Sequence, residues 1–300
     1  MSDRLVGSEM CIRDRNRYSQ NKLIHMTEEF NFDSLKIKLQ KRSSNSHKGD
    51  FGRVMVVGGS EGMGGAAILS SEASLFCGSG LVHLNTHPKN VEASLIRNPE
   101  IMAQGVDNLF SIQSNISVLL CGPGLKEDNW SQSVFNTVLK DNNKNILLYD
   151  AGALRLLSRI NEIDSCKETI LTPHPGEAAE LLNISVDEVQ KNRVNAAELI
   201  SEKYKSTVVL KGKQTIVCSM KNKSVFICSD GGPELSTGGT GDVLAGVISS
   251  LVAQNLDIVD ACLLSVAAHA KAGELFANDV GEIGLNASSL IPIIRDLINK

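Results

Sequence analysis

What most constrains the fold of this 300-residue chain is a unit that recurs along it. A short apolar run rich in β-branched residues meets a glycine or polar residue, and a helical stretch follows. Arg53–Val57 runs into Gly58-Gly59, residues 117–121 into Gly122-Pro123-Gly124, and residues 145–149 into Asp150. Thr169–Leu171 runs into Thr172-Pro173-His174, and Thr207–Leu210 into Lys211-Gly212. Runs without polar alternation fit strands buried on both faces, the mark of a parallel sheet covered by helices. Helical patterns over 66–77, 176–182 and 186–204 separate the strands, and 241–299 reads as helical with a break near 279–286. Residues 80–84 read as a further strand, and 214–218 with 224–228 as a hairpin around a polar turn. The expectation is an α/β fold, a three-layer α/β/α sandwich with a mainly parallel central sheet. In such sheets ligands bind along the C-terminal edge of the strands. Gly58, Gly124, Asp150, His174 and Lys211 should therefore converge, although they lie far apart in sequence.

Composition narrows the partners. The chain carries a formal net charge of −4 and 4% aromatic residues. That argues against a nucleic-acid surface, which needs basic patches and stacking rings. No apolar run reaches the length of a membrane span. The seven cysteines are scattered without a CxxC pair, which fits reduced, packed thiols in a cytoplasmic protein. Residues 1–15 are polar and aperiodic and lack the apolar core of a signal peptide. Residues 1–25 read as a non-native or disordered tail, with Met26 as the start and 26–300 as one domain.

Thr237-Gly238-Gly239-Thr240-Gly241-Asp242 carries the sharpest chemistry. A glycine turn entering an apolar helix presents bunched N–H groups, a ready anion site. A carboxylate beside a bound anion is repelled by it, so Asp242 there suggests use as an acid or base in phosphoryl transfer. The plain alternative is a capped helix with Asp242 favoured by the helix dipole. Lys211-Gly212-Lys213-Gln214-Thr215 lacks the order of a Walker loop; it is either a tight turn between strands or a wall of a nucleotide pocket. Gly62-Met63-Gly64-Gly65-Ala66-Ala67 fits GxGxxA formally, but the acidic residue expected after the next strand is absent. It marks a close backbone approach to a ligand, with Ala66 shaping the pocket, or a structural helix entry. In Thr172-Pro173-His174-Pro175-Gly176-Glu177, two prolines hold His174 extended and Glu177 sits in the first helical turn. His174 then faces a polar ligand or solvent. Asp150 orients ligand or metal-bound water, or caps a helix. His83, His87 and His269 lack metal-ligand spacing and read as structural or exposed.

Taken together, HKGDFGRVMVVGGS from His47, GGAA, NPEIM, CGPGL, YDAGAL, LTPHPGEAAELL, VVLKGKQT, STGGTGDVLAG and GLNASSLIP resemble the ADP-dependent NAD(P)H-hydrate dehydratases of the ribokinase-like superfamily. The likeness runs to about Pro292. It implies ADP-driven loss of water from the S epimer of hydrated NADH or NADPH, with Asp242 as the base on the ring hydroxyl. It also implies Gly239, Thr240 and Gly241 as an anion hole for the transferred phosphate, and Lys211, Gly212, Lys213, Gln214, Thr215 and Gly241 around AMP. Ala66, Gly124, His174 and Asp242 would contact the hydrated dinucleotide. Mg²⁺ would bridge phosphates through water, without a carboxylate cage, and the assembly would be a homotetramer. The HPGE segment resembles the bacterial, ADP-using form. The fused bacterial form carries an extra N-terminal epimerase domain, so a dehydratase alone is expected.

The chain departs from the family pattern in three places. A Tyr is common near Met63, Asp-Ala-Asp where Asp150-Ala151-Gly152 stands, and Gly-Asn-Pro-Gly-Met where Gly232-Pro233-Glu234-Leu235 stands. A small-molecule kinase of the same superfamily shares the glycine turn, although kinases of the thiamine-precursor type often have Cys in place of Asp242. A non-catalytic dinucleotide-binding protein would keep the pocket and no turnover.

Overall fold

A computed structural model describes residues 26–107, 110–141, 143, 145–160, 168–219 and 224–300. Its strands, in chain order, are β1 (Met26–Phe30), β2 (Arg53–Val57), β3 (Leu81–Thr86), β4 (Met102–Gly105), β5 (Val118–Cys121), β6 (Ile146–Tyr149), β7 (Thr169–Leu171), β8 (Thr207–Leu210), β9 (Ile216–Ser219) and β10 (Ser224–Cys228). They form one sheet in the order β1-β10-β9-β8-β7-β6-β5-β2-β3-β4. Only β9 runs antiparallel to its neighbours, so the expected hairpin is β9–β10 inside a mainly parallel sheet.

The helices are α1 (Gly64–Phe76), α2 (Val91–Arg97), α3 (Asn129–Leu139), α4 (Gly152–Leu157), α5 (Pro175–Leu182), α6 (Val186–Lys191), α7 (Arg193–Tyr204), α8 (Thr240–Ala253), α9 (Ile258–Asp279) and α10 (Ala287–Ile298). Strand side chains alternate between the two faces. Val54, Val56, Val118 and Leu120 join the core under α1, α8, α9 and α10. Met55, Val57, Leu119 and Cys121 join the core under α3, α4, α5 and α7. This is the expected α/β/α sandwich.

Two helices differ from the sequence reading. The pattern over 186–204 divides at Asn192, which is extended at φ −149° and whose side chain accepts from the N–H of Asn195 to cap α7. The long C-terminal pattern breaks a second time at 254–257. There Asn255 takes a left-handed φ of 66°, and Asp257 caps α9 by accepting from Val259 and Asp260. Local capping chemistry ended both helices where apolar periodicity alone ran on. Strands β1 and β4 were not foreseen. Both are edge strands, and MTEEF and MAQG carry too little apolar signal to stand out. The tail assigned to 1–25 lies outside the described residues.

Chain order reverses between β2 and β5, and the crevice at such a reversal is where an open α/β sheet takes ligands. Gly59 N–H donates to Pro123 O at 2.8 Å and Ser60 N–H to Gly124 O at 2.9 Å across it. Helix α8 crosses α1 closely, because a side chain at Gly246 would run into the carbonyl of Ser70. Ser70 Oγ donates to the Asp242 carbonyl at 2.9 Å, which fixes the first turn of α8 above the sheet edge.

Candidate active site

The polar strand ends do converge. Lys211, at the end of β8, places Nζ 2.6 Å from Asp150 Oδ1 and 4.0 Å from Glu177 Oε2. Asp150 follows β6, and its Oδ1 also accepts from Thr172 Oγ1 at 2.7 Å. The N-cap position of α4 is Ala151 and no side chain caps it. The alternative of Asp150 as a helix cap is therefore corrected: its carboxylate is taken by a lysine and a threonine. The side chains of Asp150 and Glu177 are 2% and 4% exposed and that of Lys211 18%, so the ion pair is largely withdrawn from solvent.

His174 is the N-cap of α5. Its Nδ1 accepts from the N–H of Gly176 at 2.9 Å and of Glu177 at 3.2 Å, while Glu177 Oε2 accepts from the His174 N–H at 2.8 Å. This capping box fixes the tautomer: Nδ1 is an acceptor, so the ring proton sits on Nε2. Burial, then the charges of Lys211 and Arg155, lower the His174 pKa, which keeps the ring neutral and the cap intact. The His174 side chain is 47% exposed at the rim of the site, with Nε2 3.4 Å from Glu177 Oε1.

The glycine turn sits opposite. Gly239 is the N-cap of α8 with a left-handed φ of 93°. A Cβ there would lie 2.9 Å from Leu69 Cδ1 and 3.0 Å from Ala287 Cβ, so both conformation and space demand glycine. Thr240 Oγ1 donates to the carbonyls of Leu235 and Thr237, and this holds the turn from inside. The N–H groups of Gly239, Thr240 and Gly241 find no acceptor among the described residues, as the first turn of a helix requires. A Cβ at Gly241 would lie 3.3 Å from Lys211 Nζ, which brings the lysine and the anion turn together.

Asp242 lies in that first turn. No protein hydrogen bond reaches its carboxylate among the described residues. Burial first, then repulsion from Asp150, raises its pKa to about 7, with Glu177 adding and Lys211 opposing. The Glu177 carboxyl is also pushed up to about 7, mainly by burial, against the pull of Lys211. The site therefore holds three carboxyl groups around one ammonium. Two of them ionise near neutrality, the range that suits a general base.

Ala66 and Gly124 meet at the strand-order reversal. A Cβ on Gly124 would lie 3.3 Å from Ala66 Cβ and would run into the Met63 carbonyl. The turn and the pocket wall are joined through α1, which carries both Ala66 and Leu69. Gly152 stands where the family pattern has a carboxylate, and here a side chain would strike the Leu125 carbonyl; the departure is built into the packing. His87 is half-buried, with Nδ1 accepting from the Lys89 N–H and its ring 5.6 Å from Trp130. His269 is buried, and its Nε2 lies 3.0 Å from the Thr240 carbonyl. Sequence reasoning did not link His269 to the anion turn, because 29 residues separate the partners. It also passed over Arg193, the first residue of α7. Its guanidinium binds the carbonyls of Leu210, Lys211, Lys213 and Gln214.

The fold and this edge define a ribokinase-like α/β protein. A Bacillus subtilis ADP/ATP-dependent NAD(P)H-hydrate dehydratase, co-crystallised with ATP and Mg²⁺, superposes with a TM-score of 0.81 at 26% identity, covering 90% of this chain and 97% of that one. Ribokinase from Cryptococcus neoformans shares the fold at a TM-score of 0.55 and 13% identity. The profile of the NAD(P)H-hydrate dehydratase family matches residues 54–296, and the chain belongs to that family. It is 36% identical to the ADP-dependent (S)-NAD(P)H-hydrate dehydratase of Neisseria meningitidis over 86% of this chain and 89% of that protein. It is 40% identical to the bifunctional NAD(P)H-hydrate repair enzyme Nnr of Coxiella burnetii over 87% of this chain, but spans only 53% of that relative. The chain thus covers about half the length of the bifunctional relatives it matches.

Proposed function

We propose that the chain dehydrates the S epimer of hydrated NADH and NADPH with ADP as co-substrate, releasing AMP and phosphate and restoring the dihydropyridine. The observation that carries this is Asp242: a carboxyl, ionising at about 7, that no protein hydrogen bond reaches among the described residues, beside three N–H groups that find no acceptor among them. In this reading Asp242 takes the proton of the ring hydroxyl as its oxygen bonds to the β-phosphorus and the bond to AMP breaks. The N–H groups of Gly239, Thr240 and Gly241 receive charge on the transferred phosphoryl oxygens. Phosphate then leaves the ring carbon, together with a proton from the adjacent carbon, far more readily than hydroxide would.

Lys211, Gly212, Lys213, Gln214 and Thr215, with Gly241, hold the AMP part. Ala66, Gly124 and His174 contact the hydrated dinucleotide. Among the described residues no group of three or more His, Cys, Asp or Glu side chains is arranged to hold a metal, and Asp150 and Glu177 face Lys211. A Mg²⁺ ion would therefore be held by the nucleotide phosphates rather than by a carboxylate cage. Such an ion neutralises phosphate charge.

The same reading makes residues 26–300 one dehydratase unit that assembles as a homotetramer in the cytoplasm. No helix among the described residues is long and apolar enough to cross a membrane. The test is to incubate the protein with hydrated NADH and ADP, and separately ATP, and follow the dihydropyridine absorbance. Recovery with ADP is expected. Asp242→Asn should lower turnover by about 10²–10⁴-fold with modest change in ADP binding. No recovery with either nucleotide, and phosphorylation of an alcohol instead, would replace this reading with a kinase.

A further inference from the structure

Arg193 sits where a cation is least favoured, at the first position of α7, against the positive end of the helix dipole. No carboxylate pairs with it among the described residues, and its Nε is buried without a partner. What holds the guanidinium is backbone. Nη2 donates to the carbonyls of Leu210 and Lys211, each at 3.1 Å. Nη1 donates to the carbonyl of Lys213 and, at 3.3 Å, to that of Gln214. The four carbonyls belong to the turn between β8 and β9.

The peptide plane turns this into a consequence for the other side of the turn. In a trans peptide the N–H of residue i+1 points away from the C=O of residue i. Carbonyls of 210, 211, 213 and 214 drawn toward Arg193 direct the N–H groups of Lys211, Gly212, Gln214 and Thr215 away from it. The Lys211 N–H donates to Pro173 O at 2.8 Å. The N–H groups of Gly212, Gln214 and Thr215 meet no acceptor among the described residues. Backbone strain marks the same turn. Gly212 has φ +130°, and a Cβ there would lie 3.2 Å from Arg193 Nη2. Gln214, which is not glycine, has φ +56°. Such a conformation persists where neighbours over-determine it, and Arg193 holds the carbonyl on each side of that residue.

We propose that Arg193 is a positioning residue for the nucleotide: by gathering four carbonyls it turns three backbone donors of the 211–215 loop outward, toward the AMP moiety of a nucleoside diphosphate. The proposal rests on the reading that this loop is the nucleotide wall. The planar fork is what the task requires, since an ammonium cannot span four carbonyls on two adjacent nitrogens.

Two measurements separate the proposal from that reading. Amide hydrogen exchange over residues 207–217 in the protein without nucleotide reports loop positioning alone, and calorimetry with ADP reports the ligand. Arg193→Ala and Arg193→Lys should both speed exchange over this segment. Both should weaken ADP binding about tenfold or more, while the KM for hydrated NADH moves less than twofold. Added guanidinium ion should restore part of the ADP affinity of Arg193→Ala. Wild-type affinity in Arg193→Ala, or full function in Arg193→Lys, overturns the proposal. If Arg193→Ala does not fold, Arg193→Lys decides, since it keeps the charge and most of the stem. If the wild type binds no ADP, the nucleotide reading falls and the ligand half of the proposal with it. Exchange unchanged in either variant overturns the positioning half.

Discussion

Asp242 and Glu177 are carboxyls whose pKa values are raised in the folded state, and this sets opposite pH trends for activity and stability. In the proposed function Asp242 acts as the base and must be ionised, so kcat/KM should fall as pH drops below about 7, the value to which burial and Asp150 raise it. Stability runs the other way. A carboxyl with a folded pKa above its unfolded value binds more protons when folded, so its stabilisation is complete below about pH 4 and is lost as pH rises through about 7. Asp242→Asn removes that charge permanently. It should raise the melting temperature at pH 8 by about 2–5 °C and by a smaller amount at pH 5, while lowering turnover by about 10²–10⁴-fold. A variant less stable than wild type at pH 8 would mean that Lys211 attracts Asp242 more strongly than burial and its acidic neighbours oppose its charge. That pair of trends is what a group kept for chemistry rather than for folding produces. A carboxylate kept only for the helix dipole would lose stability on this substitution.

At the scale of elements, the first turn of α8 is held from three sides: by Ser70 of α1, by the Thr240 hydroxyl, and by His269 of α9. Burial lowers the His269 pKa to about 4, so the ring is neutral at working pH and its Nε2–H donates to the Thr240 carbonyl. His269→Leu keeps the bulk and removes the donor. It should cost about 1–2 kcal/mol of stability and lower kcat by about tenfold through a loosened anion turn, with ADP affinity moving less. His269→Gln, which can still donate, should recover part of kcat. Equal kcat in His269→Leu and wild type would show that Ser70 and Thr240 suffice.

His269 also shows where the sequence stops being legible. Gly239 and Asp242 could be read locally, because a glycine turn before an apolar helix has one physical meaning. The strand ends at Gly124, Asp150, His174 and Lys211 were legible because strands buried on both faces leave no polar alternation to confuse the boundary. The Lys211–Asp150 pair spans 61 residues, and neither local pattern names the other. Arg193 looked like one polar residue inside a continuous helical stretch. Only the cap at Asn192 turns it into the first residue of a separate helix aimed at the β8–β9 turn.

At the scale of the whole molecule, the sheet is asymmetric at its edges, and β1 shows why that matters for the site. Strand β1 adds to β10 in parallel through five register pairs, and its side-chain pattern is mostly polar. Phe30 is the exception. It is 5% exposed in the core shared with α8–α10, with its ring edge-on to Phe226 at 6.4 Å. From the end of β1 the backbone ties forward: Ser229 N–H donates to Phe30 O at 2.9 Å, and Phe32 N–H to Asp230 Oδ2 at 2.7 Å. Residues 229–239 then lead into the anion turn. Strand β1 is therefore both an edge cover for β10 and the far anchor of the loop that delivers Gly239. Phe30→Ala should destabilise by about 3 kcal/mol, the cost of emptying an aromatic site that backbone ties keep from collapsing. In urea the midpoint should fall with the slope unchanged, since the folded and unfolded surfaces are nearly the same. A loss below about 1 kcal/mol would mean that β10 is stable as the edge and that β1 merely lies on it. A fall in the slope as well would mean that β1 detaches in the folded variant. In that event turnover should fall along with stability, because the loop into the anion turn would have lost its anchor.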